Sequence, residues 1–374
     1  MKLFLKVLAI VLLSFQTQFS FGQLQLSDKA EISLLTCGSG NELYSIYGHT
    51  ALRINDAERG LDIVYNYGTF DFSTPNFYGK FIKGDLQYFV STSSFEEFNY
   101  AYIYDNREII EQVLNLSQEQ KQKIFNELSA VLSSDKRFYT YKFIDRNCTT
   151  MVADLINSVL KEKISTDIPN TQHTYRRILY GYLDNNFYEN LGINLMFGLK
   201  TDQQSDKLFL PVELQQGVNL SQNQNQKLVK AERIVYSKRE SEESKTWWNS
   251  YLTFAAICIG LFFLTSNRKF QIIWLTIAGL FGLFISSVGL YSLHKEVLLN
   301  YNALLMNPLF IILAISIGLK KQNLTKYFVV GCAVCLIIYT LFISLKVQFL
   351  MMLPLIVLHG LLLWKLWKNK VTTN

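Results

Sequence analysis

Two stretches decide how the first half of this chain folds: residues 47–54, YGHTALRI, and residues 147–160, NCTTMVADLINSVL. In the first, a Tyr-Gly step leads into a β-prone run at 51–54, so His49 opens a strand. A second β-prone run at 63–67 follows the turn-rich residues 55–60, and together they read as a hairpin with a long loop. In the second stretch, Met151, Leu155, Ile156 and Val159 recur at helical spacing on one side. Asn147 suits the N-cap, which puts Cys148 at the start of that helix. Unpaired N–H groups and the helix dipole favour an anion there and lower a thiol's pKa toward the nucleophilic thiolate.

A nucleophilic cysteine needs a base, and residues 23–246 hold two imidazoles, His49 and His173. His49 sits on a rigid strand, whereas His173 lies in the polar run 170–174, which favours a solvated role. Two readings compete with a Cys148–His49 pair: a structural Cys37–Cys148 disulfide, expected of an oxidising compartment, and an inert buried thiol. Cys37 is the weaker nucleophile, because Gly38, Ser39 and Gly40 follow it as a flexible turn with no helix start.

Outward from these stretches the pattern is α+β. Ser117 and Gln120 form a capping box before Ile124, Phe125, Leu128, Val131 and Leu132, the apolar face of another helix. Residues 139–144 are β-prone, and Gly68, Gly79 and Gly84 punctuate an aromatic-rich segment. Residues 1–22, with Lys2 and Lys6 before an apolar core and with Ser20 and Gly22 near the cleavage point, read as a secretory signal. The organisation expected is a signal at 1–22, an exported α+β domain at 23–214, a polar linker and charged stalk at 215–246, and a membrane domain at 247–374.

The 374 residues are 49% hydrophobic with mean hydropathy +0.14, which excludes a disordered chain. The charged fraction is only 18%, because apolar runs crowd the C-terminal third: 248–264, 271–293, 303–319, 327–345 and 348–364. Five transmembrane helices are expected. With residues 23–246 exported, Arg268, Lys269, Lys320, Lys321, Lys326, Lys365, Lys368 and Lys370 fall inside and only Lys295 and Lys346 outside, so the net charge of +6 records topology. No basic stripe interleaved with aromatics points to nucleic acid, and the scattered Cys and His show no metal-site spacing, so neither metal nor cofactor is expected.

The spans contain no Asp, Glu, Lys or Arg and a single ionisable side chain, His359, which disfavours ion-coupled transport. Cys332 and Cys335 read as packing residues. Asn300, Asn302, Asn307 and Pro308 open the third run, which fits a broken or re-entrant start as well as an ordinary span with proline in its first turn.

The sequence resembles the bacterial Lnb type, an exported domain joined to a multi-span membrane region. The motifs that carry this are LTCG at 35–38, YGHTALR at 47–53, YNYG at 65–68 with FDF at 70–72, LNL at 114–116 and NCTT at 147–150. Residues 302–309 resemble the segment at which that family's chain passes into the membrane. The order of a His strand before a Cys helix also resembles the circularly permuted NlpC-type papain-like fold of lecithin:retinol acyltransferase-like enzymes.

This resemblance implies lipoprotein N-acylation: Cys148 as nucleophile, His49 as base, and Asn66, or alternatively Asp62, as the orienting group. The acyl chain would pass from a phospholipid or lipoprotein ester through a Cys148 thioester to the N-terminal amine of a lipoprotein. It implies a multi-pass bacterial inner-membrane protein with its N-terminal domain in the periplasm and its C-terminus in the cytoplasm. The alternatives are an NlpC-type peptidase or amidase acting on the cell wall and a non-catalytic membrane assembly or binding protein.

Overall fold

The computed structural model describes residues 24–239 and 246–368; the expected signal at 1–22 and the centre of the expected stalk lie outside the described residues. The interior strand β1 (Glu31–Cys37) is buried on both faces because the sheet is covered on both sides. It pairs antiparallel with β2 (His49–Asp56), which forms the expected hairpin with β3 (Leu61–Thr69) around the turn Ala57–Arg59. β4 (Gln87–Ser94), β5 (Ile109–Leu114), β6 (Phe138–Thr140) and β9 (Val229–Tyr236) complete a seven-stranded antiparallel sheet of order β6-β4-β3-β2-β1-β5-β9. β7 (Gln222–Asn223) and β8 (Gln226–Lys227) form a separate small hairpin.

Among the helices, α1 (Phe77–Lys83) precedes β4, α2 (Phe95–Tyr104) follows it, and α3 (Gln118–Leu132) starts from the capping box legible at Ser117 and Gln120. Then come α4 (Cys148–Asn157), α5 (Tyr175–Tyr182), α6 (Phe187–Met196) and α7 (Pro211–Leu220). One sheet face packs Leu34, Leu52, Ile54 and Tyr65 against Ile124 and Leu128 of α3 and Val152 and Ile156 of α4. The other packs Leu35, Ala51 and Val64 against Phe98 of α2. Sheet and flanking helices therefore form an α+β domain built around α4, the helix that Cys148 begins.

Residues 215–236 are not a linker. They finish α7, form the β7–β8 hairpin and supply β9, which pairs with β5 over its whole length. The polar composition has a physical cause: β9 is an edge strand with mostly exposed side chains, held by its backbone ladder and by charge pairs, Arg233 to Glu111 at 2.8 Å and Lys230 to Glu31 at 3.4 Å.

The C-terminal part is helical: α8 (Tyr251–Leu264), α9 (Arg268–Tyr291), α10 (Leu309–Gly318), α11 (Gln322–Ile343) and α12 (Phe349–Lys368). Among the described residues four segments are long and apolar enough to cross a membrane: α9, Lys295–Gly318 containing α10, α11 and α12. The first of the five expected spans, α8, is apolar but has 14 residues, about 21 Å at ~1.5 Å per residue. Just before it Asn249 bonds Glu189 of the α+β domain, and just after it Thr265 bonds Lys365 of α12.

The third span starts broken. Two 3₁₀ turns, Lys295–Val297 and Tyr301–Leu304, precede Pro308, which sits at the N-cap of the ten-residue α10. Gly282 of α9 admits this segment, since a Cβ there would lie 1.6 Å from the Met306 carbonyl oxygen. Cys332 is buried and Cys335 half-buried among the helices, both as free thiols.

Candidate active site

The site forms where three elements end together. His49 is the first residue of β2, opposite Cys37 on β1, and Asn66 lies on β3 opposite Ala51. Beyond Asn66 the β3–β4 ladder slips register, and Gly68 takes φ +89°, a conformation glycine adopts at little cost. The slip opens the sheet next to α4: a Cβ on Gly68 would stand 3.6 Å from the Cys148 Cβ.

Cys148 is held by its own helix start. Asn147 accepts from the Thr150 N–H at 2.9 Å, and Thr150 Oγ1 accepts from the Asn147 N–H at 2.9 Å, a reciprocal capping box. The Asn147 amide also donates to the Phe143 and Phe209 carbonyls, so the cap is fixed from both sides. Thr149 bonds Thr50 at 3.0 Å and ties the helix start to β2 beside His49.

The His49 imidazole lies close enough to Cys148 for its charge to favour the thiolate. His49 Nε2 lies 3.2 Å from Asn66 Oδ1. With that oxygen accepting, Nε2 carries the hydrogen. Burial raises the Cys148 pKa, but the His49 charge and hydrogen bond, the Thr50 N–H and the Thr149 hydroxyl outweigh it, so the thiol is held below its ordinary value. All three residues are half-buried.

The other candidates sit elsewhere or in other roles. Asp62 is committed to Arg53, which it accepts from at 2.7 and 2.8 Å, while Arg53 also reaches Glu111 and stacks on Phe95 at 3.4 Å. Asn66, not Asp62, therefore faces the imidazole. Cys37 and Cys148 are both free thiols, so the alternative disulfide is absent. Burial pushes Cys37 up to about 12, which leaves it protonated. His173 lines a cleft with Arg176, Arg177, Asp202 and Lys346 that includes neither Cys148 nor His49. Among the described residues no three His, Cys, Asp or Glu cluster to hold a metal ion.

Sequence reasoning missed Thr50, Thr149 and Gly68 as parts of the site. Their signal was present, since both threonines and the glycine lie within motifs already quoted; what was missing was the register that brings them together.

A thiol lowered toward the thiolate, with an imidazole beside it and an amide behind the imidazole, is an arrangement able to serve nucleophilic chemistry. Comparison with known proteins adds the family. The Lnb N-terminal periplasmic domain matches residues 17–181 and the Lnb transmembrane domain matches residues 247–373. No curated protein and no solved structure matches the chain. The two domains stand in the family's order and account for both halves of the fold, so the chain belongs to the Lnb family, with a periplasmic N-terminal domain and a membrane-spanning C-terminal region, and its domains point to a lipoprotein-modifying membrane protein.

Proposed function

We propose that this chain is a cysteine-dependent lipoprotein N-acyltransferase of the bacterial inner membrane, built on a permuted NlpC-type core with five membrane passes and a cytoplasmic C-terminus. The observation that carries the reading is the grouping of Cys148 at the start of α4 with His49, whose charge lowers the thiol, and Asn66, 3.2 Å from the His49 ring. The basic residues support the orientation: Arg268 bonds the Ile317 and Gly318 carbonyls and Lys365 bonds Thr265, gathering positive charge at the bundle end away from the periplasmic domain.

In the first half-reaction the Cys148 thiolate attacks the carbonyl carbon of a lipid ester. The N–H groups of Cys148 and Thr149, without intrahelical partners at the helix start, receive the oxyanion. The carbon–oxygen bond to the glyceryl group breaks, and the leaving oxygen takes the proton from the His49 imidazolium. A Cys148 thioester and neutral His49 remain.

In the second half-reaction the N-terminal amine of a lipoprotein attacks the thioester and gives its proton to His49. The carbon–sulfur bond breaks, an amide forms, and the Cys148 thiolate is restored beside the His49 imidazolium. Donor and acceptor both reside in the membrane, where a fixed catalytic domain meets them at high effective concentration.

The test is a reconstituted assay with vesicle phospholipid or a diacylated lipopeptide as donor and a lipopeptide amine as acceptor. Wild type should N-acylate the acceptor, while Cys148→Ala and His49→Ala should lose activity by at least roughly 10²-fold with insertion intact. Cleavage of cell-wall peptides in place of transfer, or full activity of Cys148→Ala, would contradict the reading.

A further inference from the structure

Residues 70–82 carry a chain of aromatic side chains that runs from the edge of the core, at Phe70 and Phe77, to the surface. Phe70 meets Phe72 at 4.9 Å between ring centroids, Phe72 meets Phe77 at 5.0 Å, and Phe77 meets Tyr78 at 5.4 Å. Phe72 is 62% exposed, Tyr78 76% and Phe81 48%. Across from them Leu43 and Tyr44 are also exposed, with Tyr44 6.0 Å from Phe70. Such a contiguous apolar surface marks an interaction site.

Its position selects the partner. The C-terminal turn of α1 is bonded to the outer end of α9: the Leu293 N–H donates to the Lys83 carbonyl at 2.7 Å, and Ser292 Oγ donates to the Ile82 carbonyl at 2.8 Å. His294 Nε2 lies 2.9 Å from the Phe81 carbonyl. The patch is thus continuous with the lipid-facing side of α9, where Leu283 and Leu290 are exposed. Exposed Trp247 and Trp248 at the start of α8 and Tyr291 at the end of α9 mark the same level, as expected of an interfacial aromatic belt. Lys80 on α1 adds positive charge for lipid headgroups, whereas Lys83 is paired with Asp85.

The patch also leads to the site. Phe70 lies 5.3 Å from Tyr88, which stacks on Tyr141 at 4.4 Å, and a Cβ on Gly68 would stand 3.9 Å from Tyr141 and 3.6 Å from Cys148. We propose that Leu43, Tyr44, Phe72, Tyr78, Phe81 and Ile82 form a lip that dips into the outer leaflet and guides a lipid acyl chain to Cys148. The leaflet contact stands by itself; the guiding role rests on the acyl-transfer reading above.

The experiment places the wild-type chain in phosphatidylethanolamine–phosphatidylglycerol nanodiscs containing a phospholipid with a diazirine on its acyl chain. After irradiation, mass spectrometry should find lipid adducts on peptides covering 38–48 and 70–84 as well as on the spans. Adducts confined to α8–α12 would overturn the proposal. The variant Phe72→Ser/Tyr78→Ser/Phe81→Ser should form the thioester from vesicle lipid about tenfold more slowly or worse, with iodoacetamide alkylation of Cys148 reporting that the site remains folded. An undiminished rate would overturn the guiding role. Adducts on the lip with no thioester in wild type would retain the leaflet contact and reject acyl transfer itself.

Discussion

Cys37 and Cys148 carry the same side chain and face opposite fates because of what surrounds the sulfur. Cys37 is sealed in the sheet and pushed up to about 12, whereas Cys148 receives the His49 charge and hydrogen bonds that favour its anion. Alkylation by iodoacetamide should therefore follow a single reactive thiol in the periplasmic domain, with an inflection below the ordinary thiol value of about 8.5. Reactivity falls as pH drops through that inflection, because the thiolate is the reacting form. His49→Ala removes the main lowering influence, so the inflection should move up and alkylation at pH 7 should slow; an unmoved inflection would show that His49 does not act on the sulfur.

Behind the imidazole, Asn66→Ala should slow acyl transfer by roughly 10²-fold through loss of ring orientation, measured as kcat in the reconstituted assay. Asp62→Asn should leave kcat near wild type, because Asp62 serves Arg53. The cysteine's special position was legible from local sequence, a cap and a helical pattern within a few residues. The choice between Asn66 and Asp62 was not, because it depends on the pairing register and on the charge partner Arg53 finds across the sheet.

At the scale of elements, the broken start of the third span is an anchor. Asn300 donates to the Leu195 and Met196 carbonyls at 2.8 Å, and Asn302 donates to the Asn194 carbonyl at 2.8 Å, capping the end of α6. Tyr339 of α11 donates to Asn302 Oδ1 at 2.9 Å, so one side chain links the periplasmic domain to a membrane helix. Asn302→Leu strands these buried groups at about 1–3 kcal/mol each and should lower the thermal unfolding midpoint in detergent, where an unchanged midpoint would refute the anchoring role. Gly282→Ala should act in the same direction, because Met306 occupies the space its methyl needs. The sequence showed the amides and the proline but not which carbonyls they meet, since α6 lies more than a hundred residues away. It misplaced β9 for a related reason: an edge strand bound through its backbone has no need of an apolar face and reads as linker.

Across the whole molecule, the periplasmic domain is seated on the bundle through several contacts. Lys346 pairs with Asp202 at 3.0 Å, Lys142 donates to the Leu293 carbonyl at 2.9 Å, and Asn249 reaches Glu189 at 3.1 Å. These contacts tie the domain directly to the helices. Lengthening residues 240–245 with Gly and Ser should therefore leave acyl transfer within about twofold of wild type, since a flexible insertion changes little when the ends are already held; a steep loss would mean that the connection fixes the geometry.

The account turns on whether the sulfur of Cys148 carries an acyl group during turnover. Intact mass spectrometry of the wild-type chain mixed with donor lipid in the absence of acceptor, followed by peptide mapping, measures this directly. The predicted result is a mass increase of one acyl chain located on Cys148, removed by neutral hydroxylamine or by acceptor amine and absent from Cys148→Ser. Transfer to acceptor with no adduct on Cys148, or an adduct on another residue that sustains turnover, would contradict it.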